Sequence, residues 1–278
     1  MADKTISTDI AGLMEDVKVD ATAVFATTAR LLPSVNSQVV TNGLSATFPV
    51  KSVPAVATAH TEGAAITPVT TTISASTATL LEYPLVSRLS NNALKGGVNA
   101  AMEVAEDLGG GVARTVDTLI TTAFSSFTSN IGVSTAAFEI EDFMTGVATL
   151  RATGFIGQIN AVFGPKTFNS ISQGLLDYGM SRQAEEFLGL GYYGTLNGVN
   201  IFITPWVTSA DDGTNTYEVG GLFFSHAIGA AYRDPVIDFI AAEDPLYNSK
   251  LISATAYIRV AMLNAGAGFD VYHKTGLV

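Results

Sequence analysis

Glycine loops, three histidines and two acidic pairs are the features of this chain best suited to chemistry. Gly189-Leu190-Gly191-Tyr192-Tyr193-Gly194 matches G-x-G-x-x-G. That pattern grips a dinucleotide only between a strand and a helix N-terminus, whose amides face the pyrophosphate. Here a short helix, Arg182–Leu188, is expected before it and a turn and strand, Thr195–Ile203, after it. Two tyrosines also crowd the approach, so a loop that glycine permits is the simpler reading. Gly164-Pro165-Lys166-Thr167 is similar to the end of a phosphate-binding loop. With Lys166 as the phosphate lysine, Pro165 and Asn160 stand where glycines are needed. A strand end followed by a helix start accounts for the segment.

His60, His226 and His273 are far apart, and no H-x-x-x-H pair exists. His60-Thr61-Glu62 spells the first half of a zinc-deaminase signature, but the second half needs cysteines and the chain has none. A polar turn is the expected role. A Ser–His–Asp triad need not be adjacent in sequence, yet no G-x-S-x-G elbow occurs. His226, within Phe224-Ser225-His226-Ala227, reads as a satisfied, partly buried histidine. Glu139/Glu141 and Glu185/Glu186 read as solvated helix faces. The expectation is no catalytic residue, no metal, no cofactor and no enzyme.

The elements that would carry these residues fall in an unusual order. Ile10, Leu13, Met14 and Val17 are spaced for a helical arm that Ser7, Thr8 or Asp9 can cap. The arm stops near Leu32-Pro33. Two β-arms, Ala46–Ala57 and Ile66–Leu81, then flank a turn at His60–Ala64, with period-2 alternation such as Val69, Thr71, Ile73, Ala75. Few large apolar side chains are present, and an isolated two-stranded ribbon is marginal in water. Something outside its own domain is expected to shelter it.

A long helix follows, roughly Asn92–Phe124. Its apolar stripe is Val98, Met102, Ala105, Leu108, Val112, Val116, Leu119 and Ala123, with Glu103, Glu106, Asp107, Arg114 and Asp117 off it. Gly109-Gly110-Gly111 in its middle serves either close packing against another backbone or bending. Beyond the Thr122–Ala137 connector, a mixed region runs to Ile240. Expected there are a helix through Ile140–Leu150, a buried strand Ile159–Phe163 and a helix Phe168–Leu176. Strands Gly198–Pro205 and Tyr217–Phe224 follow, joined by a polar loop, Ser209–Thr216. A strand Ile252–Met262 and an extended tail, Phe269–Val278, end the chain.

Composition narrows the class. The 278 residues are 47% hydrophobic but only 14% charged, with a formal net charge of -11, a pI near 4.6 and a mean hydropathy of +0.34. Ordinary soluble domains carry about 25% charged residues. A surface of Ser, Thr and Gly is easily desolvated by another subunit, because few ions lose water. That balance leans toward self-association. No stretch reads as a membrane-spanning helix, and Met1-Ala2-Asp3-Lys4-Thr5 lacks the basic leader of a secretory signal. The negative charge argues against clamping nucleic acid through phosphates.

Arm, weakly anchored ribbon, long helix, α/β domain and late strand together resemble the tailed-phage major capsid proteins of the Hong Kong 97-type fold. The text His60-Thr61-Glu62-Gly63-Ala64-Ala65-Ile66-Thr67-Pro68 is similar to that family's extended loop. Thr79–Ser90 resembles the strand leading into its spine helix, and Gly198–Thr204 a strand before an exposed loop. The resemblance implies an α+β fold with five parts. These are an N-terminal arm (1–42), an extended β-hairpin loop (43–80), a peripheral domain with the spine helix (81–137), an axial domain (138–240), and a return to the peripheral domain with a C-terminal strand (241–278).

By the same resemblance, the chain would form hexamers and pentamers of an icosahedral shell around double-stranded DNA, without sequence-specific binding. Its place would be the virion capsid, assembled in the host bacterial cytoplasm. A portal, a separate scaffold protein and a decoration or cement protein would be its partners, with no membrane. Lys51, His60, Glu62, Glu82, Arg88, Lys95 and Arg114 are the candidate inter-subunit contacts, and Gly109, Gly110 and Gly111 the bend in the spine. Two alternatives stand: an encapsulin-like nanocompartment shell, and a soluble α/β enzyme with a β-ribbon dimerisation arm.

Overall fold

The computed structural model describes residues 3–57, 59, 74–90, 100–177, 193–244 and 249–275. Its N-terminal helix α1 (Asp3–Thr28) ends just before a one-turn helix at Leu32–Ser34, where Pro33 cannot continue the α-helical ladder. Val17, Ala21 and Phe25, four residues apart, bury one face of α1 against the long helix α2 (Ala100–Thr122). From α2, Val104, Ala105, Leu108, Val112, Val116 and Ile120 supply the buried stripe. Met102, expected on that stripe, is instead 54% exposed. Asp117, expected off it, is 1% exposed, because it lies four residues after buried Ala113. Helix α2 runs unbroken through the three glycines. A side chain on Gly109 would collide with the backbone of Ala21, and one on Gly111 with the Leu85 side chain, whereas Gly110 faces open space.

Strands β1 (Asn36–Val39), β2 (Ser45–Val50), β3 (Ser74–Thr79) and β4 (Leu81–Ser90) fall between the helices. β2 and β3 pair antiparallel as a separate ribbon. Its strands are shorter than expected: Lys51–Ala57 has no regular pairing, consistent with Pro54, and the expected turn lies outside the described residues. The ribbon root is better held than its composition suggests. Ala46, Phe48, Ala78 and Leu80 form a small core with Val40, Ala231 and Leu263. Past the root that support ends, with Val53 47% and Val56 85% exposed.

The next elements are β5 (Asn130–Ile131), α3 (Ile140–Ala152), β6 (Ile159–Phe163), α4 (Pro165–Asp177), β7 (Tyr193–Leu196) and β8 (Val199–Ile203). β9 (Thr208–Asp211), β10 (Thr216–Phe224), β11 (Ile228–Asp244), β12 (Ser249–Met262) and β13 (Gly268–Lys274) complete the chain. One sheet has the order β1-β11-β12-β4, and α2 packs on it. The other runs β5-β13-β10-β6-β8-β7, with β9 on the first half of β10. Phe138, Phe143 and Phe163 pack as a ring cluster beside this second sheet, each fully buried.

Three expectations need correction. β11 is a 17-residue strand that no expected element covered. Its register slips between Tyr232 and Ile237, a stretch containing Pro235, and a bulge is where a residue without an N–H donor is tolerated. The expected boundary at residue 240 therefore falls inside one strand. Part of the expected loop Ser209–Thr216 is strand β9, paired with β10 from Thr216 to Val219. β13, expected to return to the spine-helix body, sits in the second sheet beside β10, while β12 does join the sheet under α2. The expected helix Arg182–Leu188 lies outside the described residues.

Candidate functional site

The segment Gly164-Pro165-Lys166-Thr167 is a strand end followed by a helix start, as expected. At the start of α4, the Phe168 N–H donates to the Gly164 carbonyl. Glu218 reaches over from β10, its Oε2 accepting from Thr167 Oγ1 at 3.1 Å. A carboxylate thus stands at the helix N-terminus where a phosphate would bind. Gly194 lies within β7, so the glycine pattern leads into a strand and not a helix. Gly189–Tyr192 lies outside the described residues.

His226 and His273 sit in separate surroundings. His273 is buried, and its Nδ1 accepts from the Phe138 N–H at 3.0 Å. Burial, then the charge of Lys166, holds it below the usual histidine range. His226 is 5% exposed, stacked with Phe224 and tilted against Phe155, but it is not satisfied as expected: its Nε2 has no hydrogen-bond partner among the described residues. Burial, then Lys51, lowers its pKa. His60 lies outside the described residues. Among those residues, no group of three acidic or histidine side chains could hold a metal. Nor is any helix there long and apolar enough to cross a membrane. Glu139 is the N-cap of α3, its N–H donating to Asp142 Oδ2 at 3.2 Å, a capping role beyond a solvated face.

Sequence reasoning missed two polar nodes that join the parts of the molecule. At the first, Asp117 of α2 accepts from the Leu31 N–H at 3.2 Å and from Thr204 Oγ1 at 3.3 Å. The arm, the spine helix and the end of β8 thus meet on one carboxylate. Thr121 Oγ1 donates to the Trp206 carbonyl at 3.1 Å, and the Arg114 guanidinium lies 4.6 Å from the Trp206 ring centroid. Burial pushes Asp117 up to about 6, against the hydrogen bonds from Leu31 and Thr204. At the second node, Asn160 Nδ2 donates to the Ser34 carbonyl, while Asn200 Nδ2 donates to Asn160 Oδ1 at 3.2 Å. The available signals were an acid on the buried face of a helix and an asparagine inside the apolar run Ile159–Phe163.

The described candidate contact residues lie at separate exposed positions. Lys51 follows β2 and is exposed, Glu82 and Arg88 lie on exposed positions of β4, and Arg114 is the residue over Trp206. Glu62 and Lys95 lie outside the described residues. Among the described residues, the polar side chains join parts of the molecule and lie on its surfaces without converging on one point.

No protein-family model and no curated protein matches the sequence. Solved structures do match, over nearly the whole chain. The capsid of Ralstonia phage GP4 aligns with 87% of each chain at 9% identity and a TM-score of 0.64. The capsid of cyanophage P-SCSP1u aligns with 88% of each at 12% identity and a TM-score of 0.60. A virus-like particle from Pyrococcus furiosus aligns with 93% of this chain and 98% of its own, at 11% identity and a TM-score of 0.58. Arm, ribbon, spine helix and two sheets are thus arranged as in the Hong Kong 97-type fold of tailed-phage capsids.

Proposed function

We propose that this chain is the major capsid protein of a tailed phage, a structural subunit and not an enzyme. Copies self-assemble through hexamers and pentamers into an icosahedral shell around double-stranded DNA. The observation that carries the reading is the likeness to capsid subunits over 87–88% of the chain. The chain's own physics supports it. A ribbon whose described root carries a small core and whose Val53 and Val56 are exposed gains burial by lying on a neighbour, and a closed shell needs each copy to offer surfaces in several directions. A net charge of -11 suits a container whose contents must slide during loading, with no sequence-specific grip on the DNA.

The same reading places the protein in the virion capsid, assembled in the host cytoplasm with a portal, a separate scaffold protein and a decoration or cement protein. Lys51, Glu82, Arg88 and Arg114, with His60, Glu62 and Lys95, serve as contacts between copies. Gly109–Gly111 is the point where the spine helix bends as the shell matures. Size exclusion and nuclease digestion test the core of this. Particles eluting at megadalton size with nuclease-protected DNA are expected from infected cells. Protein cargo in place of DNA would favour the nanocompartment, and a small dimer would favour the enzyme.

A further inference from the structure

β4 (Leu81–Ser90) closes one side of the four-stranded sheet, and among the described residues it pairs with β12 alone. Its other side is an open edge 10 residues long. Leu81, Leu85 and Val86 on this strand are 43%, 37% and 56% exposed. A long, apolar open edge is a template for another strand. Pro84 shows which backbone groups it offers. A proline fits a paired strand when its nitrogen lies on the unpaired side. Backbone groups alternate sides along a strand, so the N–H groups of Glu82, Val86 and Arg88 lie on the open edge as well.

The strand is complementary to itself. Around Leu85 stand Pro84 and Val86, then Tyr83 and Ser87, then Glu82 and Arg88, then Leu81 and Leu89. Two such strands, antiparallel about a dyad at Leu85 that is perpendicular to the sheet, set each residue against its mirror position. Glu82 then lies opposite Arg88 of the second copy, once at each end. Pro84 and Val86 of both copies fill the outer face between these pairs. On the face toward α2, where Leu85 lies against Gly111, the two Leu85 side chains meet at the axis. A slip of two residues instead sets Glu82 against Val86 or Ser90, and Arg88 against Leu80 or Pro84. Charges on an edge ordinarily deter pairing, but here they favour a single register.

We propose that β4 is a dyad seam: it pairs antiparallel with β4 of a second copy, centred on Leu85, and a Glu82–Arg88 ion pair closes each end. Two sheets of four strands become one of eight. The inference rests on the self-assembly reading above and names a surface by which copies meet across a two-fold axis, where a contact must be complementary to itself. Glu82 and Arg88 are both exposed and stand roughly 20 Å apart along one extended strand, so they do not reach each other within a copy. Arg88 already has an interaction within its own chain, and its five donors leave room for a second.

The chain has no cysteine, so Leu85→Cys reports on the axis alone. Opposed Cβ atoms at the closer pairs of an antiparallel ladder stand about 4.5 Å apart, at the edge of disulfide reach. Oxidised particles of this variant should run as covalent dimers on a non-reducing gel, with a peptide linked 85 to 85 in the mass spectrum. Glu82→Arg and Arg88→Glu each set like charges at both ends of the seam and should raise the concentration needed for assembly about tenfold. The two changes together restore opposite charges and should return it close to the wild-type value. Particles of Leu85→Cys that give no 85–85 link would overturn the seam alone. So would a double variant that assembles no better than the weaker single one. Linked dimers from a chain that never forms particles would support the seam and overturn the shell. A chain that stays monomeric throughout would overturn self-assembly, and the seam with it.

Discussion

Asp117→Asn is expected to stabilise the subunit at pH 8 and to leave it nearly unchanged near pH 4. The carboxyl is 1% exposed, and burial raises it from 3.8 to about 6. At ~1.4 kcal/mol per unit, that rise corresponds to about 3 kcal/mol. A carboxyl raised by folding stabilises the fold through its protonated form. That contribution is full below 3.8 and is lost as pH rises through about 6. Asparagine supplies the neutral form at every pH and can keep the geometry. Its Oδ1 accepts from the Leu31 N–H, and its Nδ2 donates to Thr204 Oγ1, reversing the present Thr204 donation. Thermal unfolding of unassembled subunits at pH 8, 6 and 4 reads the effect. At roughly 2–4 °C per kcal/mol, the variant should melt about 6–12 °C higher at pH 8, with the gap closing as pH falls. An equal gap at pH 8 and pH 4, or a less stable variant at pH 8, would refute the reasoning.

Gly109→Ala places a methyl group against the Ala21 backbone, so α1 must move, at a cost of about 1–3 kcal/mol. Amide exchange should speed up along α1, and unchanged protection would count against the close approach. Gly110→Ala meets open space and should gain up to about 1 kcal/mol of helix stability. If the spine bends there during maturation, the same change should slow particle expansion, and wild-type expansion kinetics would argue against the bend. Asn160→Ala leaves the buried Ser34 carbonyl without its partner, which should cost about 1–3 kcal/mol, measurable by urea unfolding.

The parts of the fold that were legible in the sequence are those where one local pattern dominates. Val17, Leu108, Val112 and Val116 sit at helical spacing and are buried, and Ile159–Phe163 reads as a covered strand and is one. Leu81–Ser90 leads toward the spine helix as the resemblance implied. β11 escaped because Gly229, Ala230, Ala231 and Pro235 carry little strand signal. Its pairing with β12 is settled by long-range register, which propensity does not report. β13 looked like a tail because its partner, β10, is some 50 residues earlier in sequence. The nodes at Asp117 and Asn160 were missed for a related reason. Asn160 inside an apolar strand announces burial whereas Asp117 was expected off the apolar stripe, and their partners Leu31, Thr204 and Ser34 come from elements whose meeting only the tertiary structure fixes.

The central claim, that this chain builds a closed container from copies of itself, is tested most directly by electron microscopy of the purified full-length protein. The account expects hollow icosahedral particles in which density for one copy's ribbon lies across an adjacent copy. A field of discrete monomers or dimers at micromolar concentration, with none converting to particles in the presence of the co-expressed phage head proteins, would contradict it.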